Sequence, residues 1–293
     1  MKSDFFGILN INKPKGITSF DVVARVRKIL GIKKVGHTGT LDPLAQGVLP
    51  VCVGDATRII EFLPSDKIYR AYAKFGLTSN TYDTEGEITE AKPVNISKEE
   101  AINALKIFEG QIEQTPPIFS AIKIKGKKLY EYARKNEKIE IPSRKVTIYK
   151  ITSVEWQNGK NPVLVFDIEC SSGTYIRSII HDLGQKLHCG AIMADLIRTK
   201  ANNFEIAQSQ ELDALTAENA VFIDPLGQIA LPEIKITSDE FEKIKLGQNF
   251  FSDFEKMGMM KLSYEGKLVG IAEQSGKKIS PKKVFKNFTI PSC

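Results

Sequence analysis

Two kinds of hydrophobic pattern divide the first part of this chain into predicted strands and helices. A continuous apolar run at residues 6–12 is typical of a buried strand. It is followed by Thr18 or Ser19 as a helix cap, by apolar residues at helical spacing, and by Gly31 as a stop signal, which together predict a helix. Four further stretches are predicted strands: 48–54, 68–76, 146–157 and 162–172.

Further helices are predicted from capping residues and spacing. Ser97 and Glu100 form a capping-box pattern ahead of an apolar-periodic stretch that stops at Gly110. Residues 174–187 and 238–247 also carry apolar residues at helical spacing.

The character of the sequence changes near Pro225 and Pro232. Beyond them, compact predicted strands are separated by Glu-Gly and Ser-Gly turn pairs. Strands and helices are mixed along the chain without a regular βαβ alternation, which predicts an α+β fold. We therefore expect a large domain at residues 1–230 and a small, mostly β domain at residues 231–293.

Composition places the chain among globular proteins. Of its 293 residues, 42% are hydrophobic and 26% are charged, and no apolar run reaches the length of a signal peptide or a membrane span. Four cysteines are scattered singly, which argues against a disulfide framework or a zinc knuckle and suits a reducing compartment. We expect a cytoplasmic protein without a membrane partner.

The net charge of +6 is concentrated in two segments. Residues 122–145 hold nine lysines and arginines against three glutamates, and residues 277–293 hold five lysines and no acidic residue. An isolated lysine run is usually a solvated surface. Two such runs, the first with Tyr130 and Tyr132, favour a nucleic-acid partner, because cations neutralise phosphates and aromatic rings stack on unpaired bases.

Most familiar catalytic motifs are absent from the sequence. It has no phosphate-binding loop, no dinucleotide-binding glycine motif and no nucleophile elbow. It has three histidines, and the adjacent His188 and Cys189 are poorly spaced to chelate one ion, so we expect no metal site. What remains is Asp42, which precedes a proline in a glycine-bearing loop between two apolar stretches. Taken alone, Asp-Pro is a common turn opening.

Five segments carry a more specific signal in their order: 12–28, 36–58, 66–88, 116–134 and 170–184. They read NKPKGITSFDVVARVRK, GHTGTLDPLAQGVLPVCVGDATR, DKIYRAYAKFGLTSNTYDTEGEI, PPIFSAIKIKGKKLYEYAR and CSSGTYIRSIIHDLG. Together they resemble the bacterial tRNA pseudouridine-55 synthases of the TruB type, over most of residues 8–200. The resemblance implies a central mixed, largely antiparallel sheet flanked by helices and loops, and, more weakly, a C-terminal RNA-binding domain of the PUA type.

The resemblance also implies a reaction. Uracil of a uridine in the tRNA T loop is detached from ribose at its glycosidic nitrogen, turned, and rejoined through carbon 5, without metal or organic cofactor. The catalytic aspartate falls on Asp42, which either attacks C1′ or removes a proton from C2′. Arg177 matches the active-site arginine, Asp83 matches a second carboxylate for it, and Tyr69 matches the active-site tyrosine; Tyr72 is then the expected core tyrosine.

Other matched residues concern substrate binding. His37 falls on a histidine that stacks in the space left by the extruded base, and Leu196 falls on an apolar pocket residue, here in a stretch that reads as helical. The sequence departs from the family at Ile197, where an arginine is usual, and at Asn202, where a glycine is usual. We therefore expect the phosphate contacts or the pocket wall to differ here from those of the family.

The basic segment corresponds to an insertion of the family, at about residues 116–145, that closes over the tRNA T arm. We expect Lys125, Lys127 and Lys128 to contact phosphates. Lys13 and Pro14 match a motif that buttresses the catalytic loop. Nothing in the sequence indicates an oligomer, so we expect a monomer.

Two other functions are open to this sequence. A non-catalytic RNA binder could use the same basic surface, although it would have no need of a rigidly placed carboxylate. A glycosidase or nucleosidase also works at an anomeric carbon, but those enzymes normally show a pair of carboxylates and release the base.

Overall fold

The computed structural model describes residues 5–135, 137–253 and 256–285. Lys286 and Cys293, which belong to the basic C-terminal run and the cysteine count, lie outside the described residues. The described chain forms two compact units. The first unit comprises the described residues of Met1–Pro43, Gly47–Pro64 and Ala201–Cys293, and the second comprises those of Leu44–Gln46 and Ser65–Lys200.

Short and long strands make up most of the regular structure. The strands are β1 (Gly7–Lys13), β2 (Val35–His37), β3 (Gln46–Val53), β4 (Lys67–Phe75), β5 (Leu77–Ser79), β6 (Ile88–Glu90), β7 (Gly110–Gln114), β8 (Lys123–Ile124), β9 (Lys127–Lys128), β10 (Arg144–Gln157), β11 (Val163–Cys170), β12 (Ala191–Ala201), β13 (Phe204–Glu205), β14 (Gln210–Glu211), β15 (Glu233–Lys235), β16 (Phe250–Phe251), β17 (Gly258–Tyr264), β18 (Lys267–Ser275) and β19 (Lys278–Val284). The helices are α1 (Ser19–Leu30), α2 (Lys98–Lys106), α3 (Leu129–Arg134), α4 (Ile176–Lys186) and α5 (Ser238–Lys245). None of the helices within the described ranges is long and apolar enough to cross a membrane.

In the first unit, α1 packs on strands that include β1 and β3. β1 pairs antiparallel with β3 and parallel with β14, and β2 pairs antiparallel with β3. The buried face of α1 carries Val22, Val23 and Val26, which join Leu9 and Val51 in one apolar core. The helix begins at a capping box between Thr18 and Asp21 and ends at the left-handed Gly31, so the prediction for this element is confirmed.

The C-terminal part of the first unit is a five-stranded sheet in the order β15-β17-β18-β19-β16. It has its own apolar cluster, centred on Ile244 of α5 together with Leu262 and Ile279. The predicted short helix is present as α5, capped by Thr237, and the Glu265-Gly266 turn joins β17 to β18. The mostly β character expected for this region is confirmed.

The second unit contains the strand order β12-β4-β11-β10-β7. β11 pairs antiparallel with β4 and β10, and β10 pairs antiparallel with β7. The helix predicted at 174–187 is α4, which begins at Ile176, and the capping box of Ser97 and Glu100 starts α2. Both units contain helices together with strand pairs, and most of these pairs are antiparallel. The α+β class and the largely antiparallel pairing are therefore confirmed.

Three local predictions were wrong. Leu196 lies in strand β12 and not in a helix, because pairing within a sheet overrides the helical preference of its Ala- and Leu-containing segment. Gly110 does not end a helix: α2 ends at Lys106, and Gly110 opens β7 with a positive φ of 100°. On β4, Tyr72 is half-exposed and is not the expected core residue, whereas Tyr69 is buried.

Candidate active site

A single serine holds the backbone of the residue before Asp42. The hydroxyl of Ser19 accepts a hydrogen bond from Leu41 N at 2.8 Å and donates one to Leu41 O at 3.1 Å. Ser19 is the first residue of α1 and is buried, so both polar groups of Leu41 are fixed to the end of a rigid helix. This clamp places Asp42 at a defined point of the loop.

The residue after Asp42 is held from the other side. The carbonyl of Pro43 accepts hydrogen bonds from Gly16 N at 2.8 Å and from Lys13 Nζ at 3.4 Å. Lys13 is fully buried at the end of β1, and its ammonium group also donates to Pro14 O at 2.9 Å. The buried ammonium group thus links the end of β1 to one carbonyl of the Asp42 loop, that of Pro43. The half-buried Asp42 therefore stands between two anchored peptide groups.

His37 ends β2, a short strand in the region expected to be loop. Its half-buried ring meets the ring of Phe20 edge-on, with centroids 5.3 Å apart and an interplanar angle of 77°. The next residue, Thr38, donates from its backbone to Pro50 O at 3.1 Å. His37 thus lies at the end of a strand that is paired with β3, and the backbone of the residue after it is hydrogen-bonded as well.

In the second unit, Arg177 lies in the first turn of α4 and forms a buried ion pair with Asp83. Its Nη1 lies 3.4 Å from Asp83 Oδ2, and the two side chains are 6% and 3% exposed. Nη1 also donates to Thr81 O at 3.1 Å, and Nη2 donates to Phe119 O at 3.0 Å. Arg177 is therefore not the ordinary surface arginine of a helix. It joins the Asp83 turn to the start of the basic insertion.

Asp83 is in turn fixed by its own loop. Its Oδ1 accepts hydrogen bonds from Thr81 Oγ1 at 2.5 Å and from Glu85 N at 3.0 Å. Tyr82, directly before it, has a positive φ of 65° and stacks on His181 of α4 with ring centroids 3.8 Å apart. Burial lowers the pKa of His181 and raises the pKa of Tyr82, so both rings favour their neutral forms.

Gln114, a residue that the sequence did not single out, fixes the start of α4. Its side-chain amide accepts from Tyr175 N at 2.7 Å and donates to Tyr175 O at 2.9 Å, while Ser178 Oγ donates to Thr115 O at 2.9 Å. Gln114 is buried at the end of β7. The only sequence signal for it is its place two residues before the matched segment at residues 116–134, because its partner lies 61 residues away.

Tyr69 and Leu196 are both buried in the second unit, at 7% and 6% exposure. Tyr69 shares one face of β4 with Ala71 and Ala73, whereas Tyr72 is on the opposite face. Of the two departures from the family, Ile197 is half-buried in β12. Asn202 has a positive φ of 58°, a conformation for which glycine is the usual residue and asparagine the common substitute. The asparagine therefore preserves the turn that the glycine would make.

The expected phosphate-binding lysines lie on or beside a small hairpin. Lys123–Ile124 pairs with Lys127–Lys128, and Lys125 and Gly126 form the turn with positive φ. Lys125 and Lys127 are exposed, and Lys128 is half-exposed. Of the two tyrosines of the basic segment, Tyr130 is half-exposed, whereas Tyr132 is buried and donates from its hydroxyl to Ile124 O at 3.1 Å.

The described cysteines do not offer reactive thiolates. Cys52, Cys170 and Cys189 are free and buried. Burial raises the pKa of Cys52 to about 12 and that of Cys170 to about 11, so these thiols are protonated at neutral pH. Among the described residues, no group of three or more His, Cys, Asp and Glu side chains is arranged to hold a metal ion.

The structure thus brings together some of the predicted site residues within each unit. The first unit holds Asp42 and His37, each next to an anchored backbone. The second unit joins Arg177 directly to Asp83, and it also contains Tyr69, Leu196 and the hairpin lysines.

Comparison with known proteins places this architecture in a class. A crystal structure of a Cbf5-Nop10-Gar1 complex contains a chain that matches with a TM-score of 0.70 and 27% identity, covering 97% of this chain and 85% of that chain. The model of the TruB family pseudouridylate synthase N-terminal domain matches residues 27–176, and that of the tRNA pseudouridylate synthase B C-terminal domain matches residues 177–228. The fold is that of the pseudouridine synthases.

Curated relatives match along nearly the whole chain. The tRNA pseudouridine synthase B of Clostridium kluyveri is 43% identical over 95% of this chain and 99% of its own length. The protein of the same name from Trichormus variabilis is 42% identical over 95% of this chain and 98% of its own length. This chain belongs to the TruB family of pseudouridylate synthases.

Proposed function

We propose that this protein converts uridine-55 in the T loop of tRNA to pseudouridine, with Asp42 as the catalytic carboxylate. The observation that carries the proposal is the double clamp on the Asp42 loop, in which Ser19 holds Leu41 and the buried Lys13 holds Pro43. A loop anchored on both sides of one aspartate provides the fixed geometry that catalysis at a sugar carbon requires. The curated relatives carry the name of this activity.

The reaction is an isomerisation that needs no co-reactant. The bond from N1 of uracil to C1′ breaks, a bond from C5 to C1′ forms, and the proton on C5 is lost while N1 gains one. Asp42 acts in its ionised form, either as a nucleophile at C1′ or as a base at C2′. The target base leaves its stack to reach the site, at a cost of a few kcal/mol.

The other residues position the substrate in this proposal. Arg177, fixed by Asp83, supplies positive charge to the active site, and Tyr69 stacks on the target uracil beside C5. His37 stacks in the space left by the extruded base, and Leu196 forms an apolar wall of the pocket. The supporting observations are the buried Arg177–Asp83 pair and the burial of Tyr69 and Leu196.

The lysine hairpin contributes to binding of the T arm. Lys125 and Lys127 are exposed beside the half-exposed Lys128, and phosphate contacts by such side chains supply salt-dependent affinity. We propose further that the protein acts as a monomer in the cytoplasm, and that the C-terminal sheet is a PUA-like RNA-binding domain appended to the catalytic part.

The assignment of Asp42 is tested with tRNA that carries tritium on C5 of uridine. Pseudouridine formation releases this tritium to water, so the wild-type protein is expected to release it and Asp42→Asn to release none, while both bind tRNA with similar affinity. Asp213→Asn is the matched control, since Asp213 is 73% exposed in the same unit and pairs at the surface with Arg25. Tritium release by Asp42→Asn would contradict the assignment, and release of free uracil by the wild type would indicate nucleosidase chemistry.

The role of the hairpin is tested by replacing Lys125, Lys127 and Lys128 with glutamine. Each phosphate contact that is lost lowers the magnitude of the slope of log affinity against log salt by about 0.7–0.9, so loss of three contacts is expected to lower it by about two to three. The control replaces three exposed lysines elsewhere in the same unit, Lys92, Lys98 and Lys106, and removes the same net charge. Equal slopes for the two triple variants would place the hairpin outside the RNA contact.

A further inference from the structure

Helix α1 carries an aromatic side chain on its solvent-facing surface. Phe20 is 70% exposed, although the helix buries Val22, Val23 and Val26 on its other face. Phe20 therefore contributes little to the core. Its one aromatic neighbour among the described ring pairs is His37, whose ring it meets edge-on at 5.3 Å. In a T-shaped contact the partner ring covers at most one face of the phenylalanine, so at least one face of Phe20 is left for stacking.

A single exposed phenylalanine is ordinary, so the argument depends on what surrounds it. Helical spacing places Ala24, Arg27 and Lys28 on the same side of α1 as Phe20, and all three are exposed. We name these four residues the Phe20 face. It presents an aromatic ring at one end, a small residue that leaves room in the middle, and two cations at the other end.

The Phe20 face is fixed to the strand that carries His37. Arg27 donates from Nη2 to Val35 O at 2.9 Å, and Val35 begins β2, which ends at His37. The guanidinium group is thereby held beside β2, while Phe20 meets the other end of that strand. The nearest acidic residue on the first turn is Asp21, and its carboxylate accepts hydrogen bonds from Thr18 N at 2.8 Å and Thr18 Oγ1 at 2.6 Å. These bonds lower the pKa of Asp21 and engage it in the helix cap.

The Phe20 face also lies next to the catalytic loop. Ser19, the residue directly before Phe20, makes both hydrogen bonds to Leu41. A base stacked on Phe20 would therefore be held on the same rigid helix end that positions Asp42. Aromatic rings paired with nearby cations are the arrangement with which proteins hold unpaired nucleotides, the ring stacking on the base and the cations meeting the backbone.

We propose that the Phe20 face is a binding site for a single unpaired nucleotide of the tRNA T loop, with the base stacked on Phe20 and the adjoining phosphates met by Arg27 and Lys28. The inference rests on the proposed function and extends it to a nucleotide other than the target uridine. The partner is RNA because an unpaired nucleotide offers a base for the Phe20 ring to stack on and phosphates for the cations of Arg27 and Lys28 to contact.

The test measures binding of a T-arm stem-loop by fluorescence anisotropy. Phe20→Ala and Phe20→Leu are expected to weaken binding by about 5- to 150-fold, the range for loss of one base stack, while Phe20→Trp retains the affinity. Ile107→Ala is the control for loss of an exposed apolar side chain, because Ile107 is 62% exposed directly after α2, outside every proposed RNA contact. Leucine at position 20 keeps an apolar side chain of similar bulk, so it separates stacking from general hydrophobicity.

A set of stem-loops with one base removed at each loop position in turn identifies the stacked nucleotide. At that position, wild type and Phe20→Ala are expected to bind equally, whereas elsewhere the difference between them persists. The proposal is overturned if Phe20→Ala binds like wild type, if Phe20→Leu does, if Ile107→Ala loses as much affinity, or if no loop position removes the difference. Tritium release by the wild-type protein is measured in parallel, so failure of the proposed activity is distinguishable from failure of this site.

Discussion

The buried pair of Arg177 and Asp83 allows a prediction about stability with a magnitude. The substitution Asp83→Ala removes a carboxylate that lies 3.4 Å from the guanidinium group and is 3% exposed. It also removes the acceptor of Thr81 Oγ1 and Glu85 N. Breaking a buried ion pair by deleting one partner costs about 3–5 kcal/mol, because the remaining charge is left in a poorly solvated place. We expect the free energy of unfolding to fall by that amount.

A second ion pair in the same unit provides the comparison. Arg70 and Asp167 form two hydrogen bonds of 2.8 and 2.9 Å, which is better geometry, but their side chains are 40% and 32% exposed. Solvent screens an exposed pair, so Asp167→Ala is expected to cost no more than about 1 kcal/mol. Burial and not bond length decides the difference between the two variants.

Urea unfolding followed by tryptophan fluorescence measures both variants. Trp156 is the single tryptophan of the chain and lies on β10 of the same unit, packed against Phe75 with ring centroids 5.9 Å apart. Its fluorescence therefore reports on the unit that contains both ion pairs. Equal losses for Asp83→Ala and Asp167→Ala, or a larger loss for Asp167→Ala, would refute the reasoning from burial.

Three further predictions concern the loop clamp, a titrating ring and a close backbone contact. Ser19→Ala removes both hydrogen bonds to Leu41, so kcat for tritium release is expected to fall by about tenfold or more while KM changes little. An unchanged kcat would show that the clamp does not position the loop. Because burial lowers the pKa of His181 in the folded protein, the unfolded chain binds the proton more tightly, and the free energy of unfolding falls as pH drops below about 6.5. Urea unfolding at pH 8 and pH 5 should therefore show a smaller fall for His181→Gln than for wild type. An identical fall for the two proteins would contradict this prediction. In Gly184→Ala the new Cβ would lie 2.1 Å from Ala191 N, so urea unfolding is expected to show a loss of about 3 kcal/mol. Gly227→Ala, whose Cβ meets nothing within 4 Å, is expected to lose almost none; far-UV circular dichroism follows both variants, because it reports on both units.

Elements whose signals are local could be predicted from the sequence. The helix from Ser19 to Leu30 begins at a capping residue and ends at a left-handed glycine, as its sequence indicates. The same holds for the capped start of α2 and for the Glu265-Gly266 turn. Each of these signals depends on hydrogen bonds or backbone angles within about four residues, so it can be recognised without knowledge of the fold.

Predictions failed where the surroundings of an element decide its state. Alternation along β4 places Tyr69 and Tyr72 on opposite faces, but it does not tell which face is buried. Leu196 lies in a segment with helical preference that becomes a strand because it is paired within a sheet. The burial of Tyr132 could not be predicted either, because it depends on the fold of the hairpin, where the carbonyl of Ile124 accepts the hydrogen bond of the tyrosine hydroxyl.

The sequence by itself determined the local elements, the family resemblance, and the position of the aspartate at residue 42. Only the tertiary structure decided how that chemistry is held. The hydroxyl of Ser19 meets Leu41 across 22 residues, and the guanidinium group of Arg177 meets the Thr81 carbonyl across 96. Contacts between residues so far apart in the chain are set by how strands pair and helices pack, because burying a polar group is favourable only where the fold supplies its partner.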